Sequence, residues 1–197
     1  MKRATAVAGT FVMLAGLGML LPLHSDAFAP GAELTSDKAC NKGPLSSPRA
    51  NCAPPPLPST GNLNDNCVAR INQLRWECQC LPPLTRWKGG EQCANKHAKY
   101  DSKRGIHGGF NKGICKPEGL AQNECPGWPS NSGIIEGCLQ AMWDEGPGKR
   151  FSKHGHYINM SNPSYERVAC GFAKSADGDI WSVQNFRLLR ATRPTSI

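Results

Sequence analysis

Four side chains in this sequence form a set that could hold a metal or move a proton: His107, Glu145, His154 and His156. Two imidazoles and one carboxylate make a ligand set that Zn²⁺ accepts, with a fourth position left for water or substrate. The same Glu145, set between His107 and His156, could serve as general base toward a metal-held water, the arrangement of a hydrolase. On an extended segment His154 and His156 would point the same way, because side chains alternate along a strand. The set alone is weakly specific, and structural roles outnumber catalytic ones for histidines so few. Other chemistry is easier to exclude. The chain carries no phosphate loop, no dinucleotide fingerprint, no Gly-x-Ser-x-Gly elbow and no His-Glu-x-x-His. Cys78-Gln79-Cys80 and the other cysteine spacings fit no paired zinc-finger pattern, which argues against a nucleic-acid module.

The elements that must position these residues are short and irregular. At 197 residues the chain has room for one ordinary domain plus attachments, and 16 Pro with 21 Gly imply many loops. A net charge of +8 favours anionic partners. Ten cysteines point away from a reducing compartment. Lys2 and Arg3 precede an apolar stretch from Ala4 to Leu23, followed by small residues that suit cleavage after Ala27. Residues 1–27 therefore read as a signal peptide, and the product as secreted or periplasmic; an uncleaved anchor is the other reading. Removal of Lys2, Arg3 and Asp26 would lower the net charge to +7 and leave all ten cysteines in place. Residues 28–62 read as a Pro-rich arm tied to the domain through Cys40 and Cys52.

From Asn64 or Asp65, as cap, the spacing of Cys67, Ile71, Leu74 and Cys78 predicts a helix with a buried stripe. Cys67 and Cys78 would lie roughly 16 Å apart along that helix, too far to pair with each other. A second helix is expected from about Glu91 to Tyr100. A third is expected through Ile134, Ile135, Cys138, Leu139, Met142 and Trp143, capped by Ser132 and stopped at Gly146-Pro147. Residues 168–173 and 180–186 read as strands joined by a turn at Asp177-Gly178. Residues 105–129 read as a long loop. Helices followed by an antiparallel hairpin mean an α+β layer structure.

The order of segments adds a resemblance. Asn72-Gln73-Leu74-Arg75, Leu81-Pro82-Pro83-Leu84, Ala94-x-x-His97-Ala98, His107, Gln122-Asn123, Trp143-Asp144-Glu145, Gly155-His156-Tyr157 and Trp181-x-Val183-Gln184-Asn185-Phe186 follow in succession. Together with Asn159 to Pro163 and Val168-Ala169-Cys170-Gly171, this succession resembles the CAP superfamily (cysteine-rich secretory proteins, antigen 5 and pathogenesis-related 1 proteins), or SCP domain, over about residues 63–190 with a short tail at 191–197. The resemblance implies a disulfide-rich α-β-α sandwich with a central antiparallel sheet and a wide cleft lined by two histidines and two acids. The histidines fall on His107 and His156 and one acid on Glu145. The position of the other acid is Gln122, a departure that removes one anionic ligand. Glu124 could replace it only if the loop shifts. His154 has no family role and reads as solvent-facing.

Three functional readings follow. The first is a non-catalytic secreted module that binds a lipid, a sterol or an anionic cell-surface polymer at a cleft of His107, Gln122, Glu145 and His156. A divalent metal such as Zn²⁺ would sit on His107, Glu145 and His156. The second is a metal-dependent, protease-like hydrolase using the same three residues, against which no obvious nucleophile occurs and Gln122 cannot ionise. The third is a vestigial cleft on a disulfide-hardened fold whose arm and 105–129 loop are the interaction surfaces. Asn159-Met160-Ser161 is an N-glycosylation acceptor sequence. The five tryptophans read as core or cleft-wall residues, and Lys149 to Lys153 as a solvated loop.

Overall fold

A computed structural model describes residues 40–115 and 121–188; the proposed leader, the tail and the part of the arm before Cys40 lie outside them. Helix α1 spans Leu63–Gln79 and begins on Asn62, whose side chain accepts a hydrogen bond from the Asp65 backbone N–H at 3.1 Å. The cap thus sits two residues earlier than Asn64. Asn64 is used elsewhere, donating to the Cys170 carbonyl at 2.8 Å. Cys80 ends the helix in the left-handed region, φ 55°, with its N–H returned to the last turn.

The chain continues through strand β1 (Thr85–Arg86), helix α2 (Lys88–Arg104), a single turn α3 (Gly108–Asn111) and strand β2 (Ala121–Trp128). A π-helical turn at Gly133–Cys138 runs into α4 (Leu139–Asp144), so the third expected helix is present but starts underwound. Helix α5 covers Phe151–Ser161, and strands β3 (Arg167–Lys174) and β4 (Ile180–Arg187) form the expected hairpin.

The sheet order is β1-β3-β4-β2. β3 pairs antiparallel with β4, and β4 antiparallel with β2, but the two-residue β1 runs parallel to β3 at one edge. The sheet is therefore antiparallel except at that edge. Residues 121–128, expected as loop, form the opposite edge strand; alternation there is hidden because both faces carry polar residues that are buried, Gln122, Asn123 and Glu124.

Two cores sandwich this sheet. On one face Ile71, Leu74, Leu139, Met142, Trp143, Tyr157 and Met160 from α1, α4 and α5 pack on Val168, Cys170 and Phe186. On the other, Ala94 and Ala98 of α2 pack on Val183, with Ala173 and Trp181 alongside. Small residues let α2 approach closely. A Cβ on Gly171 would lie 2.1 Å from the Ala94 carbonyl carbon and 2.3 Å from the Asn95 nitrogen, so glycine is required there.

Four disulfides fasten the layers. Cys67–Cys170 links α1 to β3, and Cys125–Cys138 links β2 to the π-helical turn. Cys40–Cys80 and Cys52–Cys78 tie the arm to the end of α1, as the sequence led us to expect. Cys67 and Cys78 indeed take different partners. Trp87 and Trp143 are buried, while Trp76, Trp128 and Trp181 are half-buried.

Candidate functional site

Edge strand β2 organises the site. Successive side chains on a strand face opposite ways, so Gln122 and Glu124 share the α2 face while Asn123 faces α5. On the α2 face, His107 caps α3 in the left-handed region, φ 59°, where its ring and its backbone N–H both turn toward β2. The His107 Nδ1–H donates to Gln122 Oε1 at 2.7 Å, and the His107 backbone N–H donates to Glu124 Oε2 at 2.7 Å. Gln122 Nε2 in turn donates to His97 Nδ1 at 3.0 Å and to Asn185 Oδ1 at 3.1 Å. His97, 1% exposed, closes this chain by donating Nε2–H to the Ile114 carbonyl at 2.8 Å.

On the opposite face, Asn123 Nδ2 donates to the His156 carbonyl at 3.0 Å, and Asn159 Nδ2 donates to Asn123 Oδ1 at 2.9 Å. These amide bonds fix α5 against the strand. The ring of His156 is held by Glu145: Nδ1–H to Oε1 is 2.5 Å, and the His156 backbone N–H reaches Oε2 at 3.0 Å. Buried Arg75 anchors the far end of α5 through the Met160 and Asn162 carbonyls, at 2.5 and 3.3 Å. Burial lowers its guanidinium pKa to about 10.

The four expected site residues thus form two pairs, His107 with Gln122 and His156 with Glu145, fixed to consecutive residues of one edge strand. Each ring has its Nδ1 occupied and is about a third exposed, at 34% and 35% for the two side chains. That is the arrangement in which an orienting partner fixes the tautomer and leaves Nε2 as the presented atom. Glu145 stands at the Nδ1 side of His156 as an orienting partner. Among the described residues, the group of three whose donor atoms lie within 4.8 Å of one another is Cys93, His97 and Cys115, and not His107, Glu145 and His156.

Two residues beyond Gln122 an acid, Glu124, lies against His107. Its side chain is fully buried, with Oε2 3.7 Å from His107 Nδ1 and Oε1 without a hydrogen-bond partner. Burial raises its carboxyl to about 8, the His107 N–H opposes that shift, and nearby Asp101 reinforces it. No loop shift is needed, because 122 and 124 already point the same way on a strand. The i, i+2 spacing was the signal, and it was lost when this segment read as loop.

Two further expectations change. His154 lies in a helix, not on an extended segment, and is half-buried; its Nδ1 donates to the carbonyls of Glu145 and Gly146, at 2.7 and 3.0 Å, and closes the turn that carries Glu145. Asn159 is 5% exposed and its amide is spent on β2, so the acceptor sequence is closed to glycosylation in the folded protein. Lys149 to Lys153 are exposed as expected, though α5 already begins at Phe151.

With this geometry in place, the comparisons with known proteins can be stated. The family model described as "CAP: Cysteine-rich secretory protein family" matches residues 68–186, more than half of the chain. The chain belongs to the CAP family. Six solved chains match; one of them, titled "Structure of BmVAL-1", is 15% identical, with a TM-score of 0.43 over 62% of this chain and 70% of that one. No curated protein matches the chain.

Proposed function

We propose that this CAP protein is exported and works as a non-catalytic binding module, taking an amphipathic, lipid-like ligand at the edge of β2. The observation that carries this reading is the pair of imidazoles, each pinned at Nδ1 and with its side chain about a third exposed. Each has an exposed hydrophobic residue near it in the chain: Ile106, beside His107, is 55% exposed, and Phe151, at the start of the helix carrying His156, is 61% exposed. A polar head would meet the imidazoles and an aliphatic portion would cover Ile106 and Phe151. Four disulfides favour an oxidising destination.

The donor chemistry also suits a divalent metal such as Zn²⁺, which His107 and His156 would hold through Nε2, with Gln122 and Glu145 orienting the rings. Bound there, a metal would supply a positive charge for an anionic ligand head. Glu145 is poorly disposed to act as the base of a hydrolase. Both its oxygens already accept, from His156 Nδ1 and from the backbone N–H groups of His156 and Tyr157, the last at 3.5 Å. The net charge of +7 left after removal of the leader supports additional adsorption to anionic surfaces, screened over about 8–10 Å at physiological salt.

A fluorescent fatty acid and a fluorescent sterol are suitable probes. The reading expects saturable binding of at least one by the wild type, weakened roughly tenfold or more in His107→Ala/His156→Ala and in Phe151→Ser. Equal binding by wild type and both variants would place the interaction surface elsewhere, as on a fold with a vestigial cleft.

A further inference from the structure

Behind the cleft, on the side of His97 away from Gln122, lies a second set of chemically active side chains. Cys93 and His97 are one turn apart on α2 and so share a face. Cys115, in the left-handed region at φ 66°, brings its thiol over that face from the segment following α3. The Cys93 Sγ is 3.7 Å from His97 Nε2, the Cys115 Sγ is 4.0 Å from the Cys93 carbonyl oxygen, and the three donor atoms all lie within 4.8 Å of one another.

This spacing matches a coordination sphere. Tetrahedral zinc with ~2.3 Å bonds to sulfur and ~2.1 Å to imidazole nitrogen separates those two ligand atoms by about 3.6 Å. The eight cysteines of the four disulfides stand at sulfur–sulfur distances of 2.02–2.08 Å, whereas the Cys93 and Cys115 sulfurs lie with the buried His97 Nε2 in one group of donor atoms. Half-buried Cys93 and exposed Cys115 leave a path for an ion to enter.

We propose that Cys93, His97 and Cys115 form a Cys₂His site for a thiophilic divalent cation of the zinc type, with the fourth position open to water. Binding forms two metal–thiolate bonds and one metal–imidazole bond. The two thiol protons leave to solvent. The ring proton of His97 leaves Nε2, where it now meets the Ile114 carbonyl, and a proton is taken up at Nδ1. Gln122 and Asn185, which now face His97 Nδ1 with their amide nitrogens at 3.0 and 3.5 Å, accept that proton by reversing their amides; the Gln122 nitrogen then donates to His107 Nδ1, whose own proton moves to Nε2. The site needs nothing from the proposed cleft ligand.

The test is a titration of the full disulfide-bonded chain with Co²⁺, followed by Zn²⁺ competition. We expect one equivalent of Co²⁺ to produce a thiolate-to-cobalt charge-transfer band that zinc abolishes. The band should be lost in Cys93→Ser and Cys115→Ser, and its affinity should fall roughly tenfold or more in His97→Asn. It should persist in His107→Ala/His156→Ala, which separates this site from the cleft. Cys115 is exposed, so its serine variant tests the site even if changes on α2 impair folding. Absence of the band, or peptide mapping that finds Cys93 joined to Cys115 in the isolated protein, would overturn the proposal.

Discussion

Glu124→Gln should make the protein less sensitive to rising pH. The folded protein keeps a proton on this carboxyl up to about pH 8, because burial has raised it from 4.5, while the unfolded chain gives the proton up near its ordinary value. Unfolding therefore releases a proton between those limits. The associated stability is fully present below about pH 4.5 and is lost as pH rises toward 8. At about 1.4 kcal/mol per unit, this one group costs the wild type roughly 3 kcal/mol between pH 5 and pH 7.5. Glutamine cannot ionise, yet its carbonyl oxygen can still accept from the His107 backbone N–H. Urea denaturation of both proteins at the two pH values measures the difference, and other titrating groups cancel in the comparison. The variant should gain on the wild type by about 2–3 kcal/mol at pH 7.5 relative to pH 5. Parallel pH dependences would refute the claim that Glu124 is buried as a neutral acid beneath His107.

Three further outcomes follow from the same structure. Replacing Cys67 and Cys170 together by alanine opens a loop of 103 residues and should cost about 4–5 kcal/mol, read from thermal or urea unfolding. Gly171→Ala should lower stability by 1–3 kcal/mol or more (estimated as for an overpacked core), because α2 must back away from β3; circular dichroism at raised temperature will show it. Arg75→Met should strip the Met160 and Asn162 carbonyls of their donor and cost about 3 kcal/mol, and it should broaden the His156 ring signals in NMR while leaving those of His107 sharp.

The helices that bury a regular apolar stripe, α1 and α4, were legible because Ile71, Leu74, Cys78 and Leu139, Met142, Trp143 repeat at helical spacing. The β3–β4 hairpin was legible from its turn and its flanking apolar runs. Strand β2 was not, since its buried face is made of amides and an acid whose partners come from α2, α5 and β4. Pattern reading assigns such residues to the surface. The loss of β2 carried another error with it: Glu124 was set aside as a loop residue. His107, Gln122, Glu145 and His156 were found through the order of motifs, not by periodicity. Their pairing into two ring-and-partner units depends on distances that only the folded chain supplies. The tie between the arm and α1 was readable in outline, because two cysteines in a Pro-rich segment must find partners elsewhere.

The account rests on two imidazoles held by their Nδ1 atoms and open at Nε2. Nitrogen NMR of the labelled protein at neutral pH reads this directly. Both His107 and His156 should be found as Nδ1–H tautomers, with coupling across the hydrogen bonds to Gln122 and Glu145, and both Nε2 signals should move when Zn²⁺ is added. An Nε2–H tautomer at either residue, or a zinc response at one ring only, would contradict it.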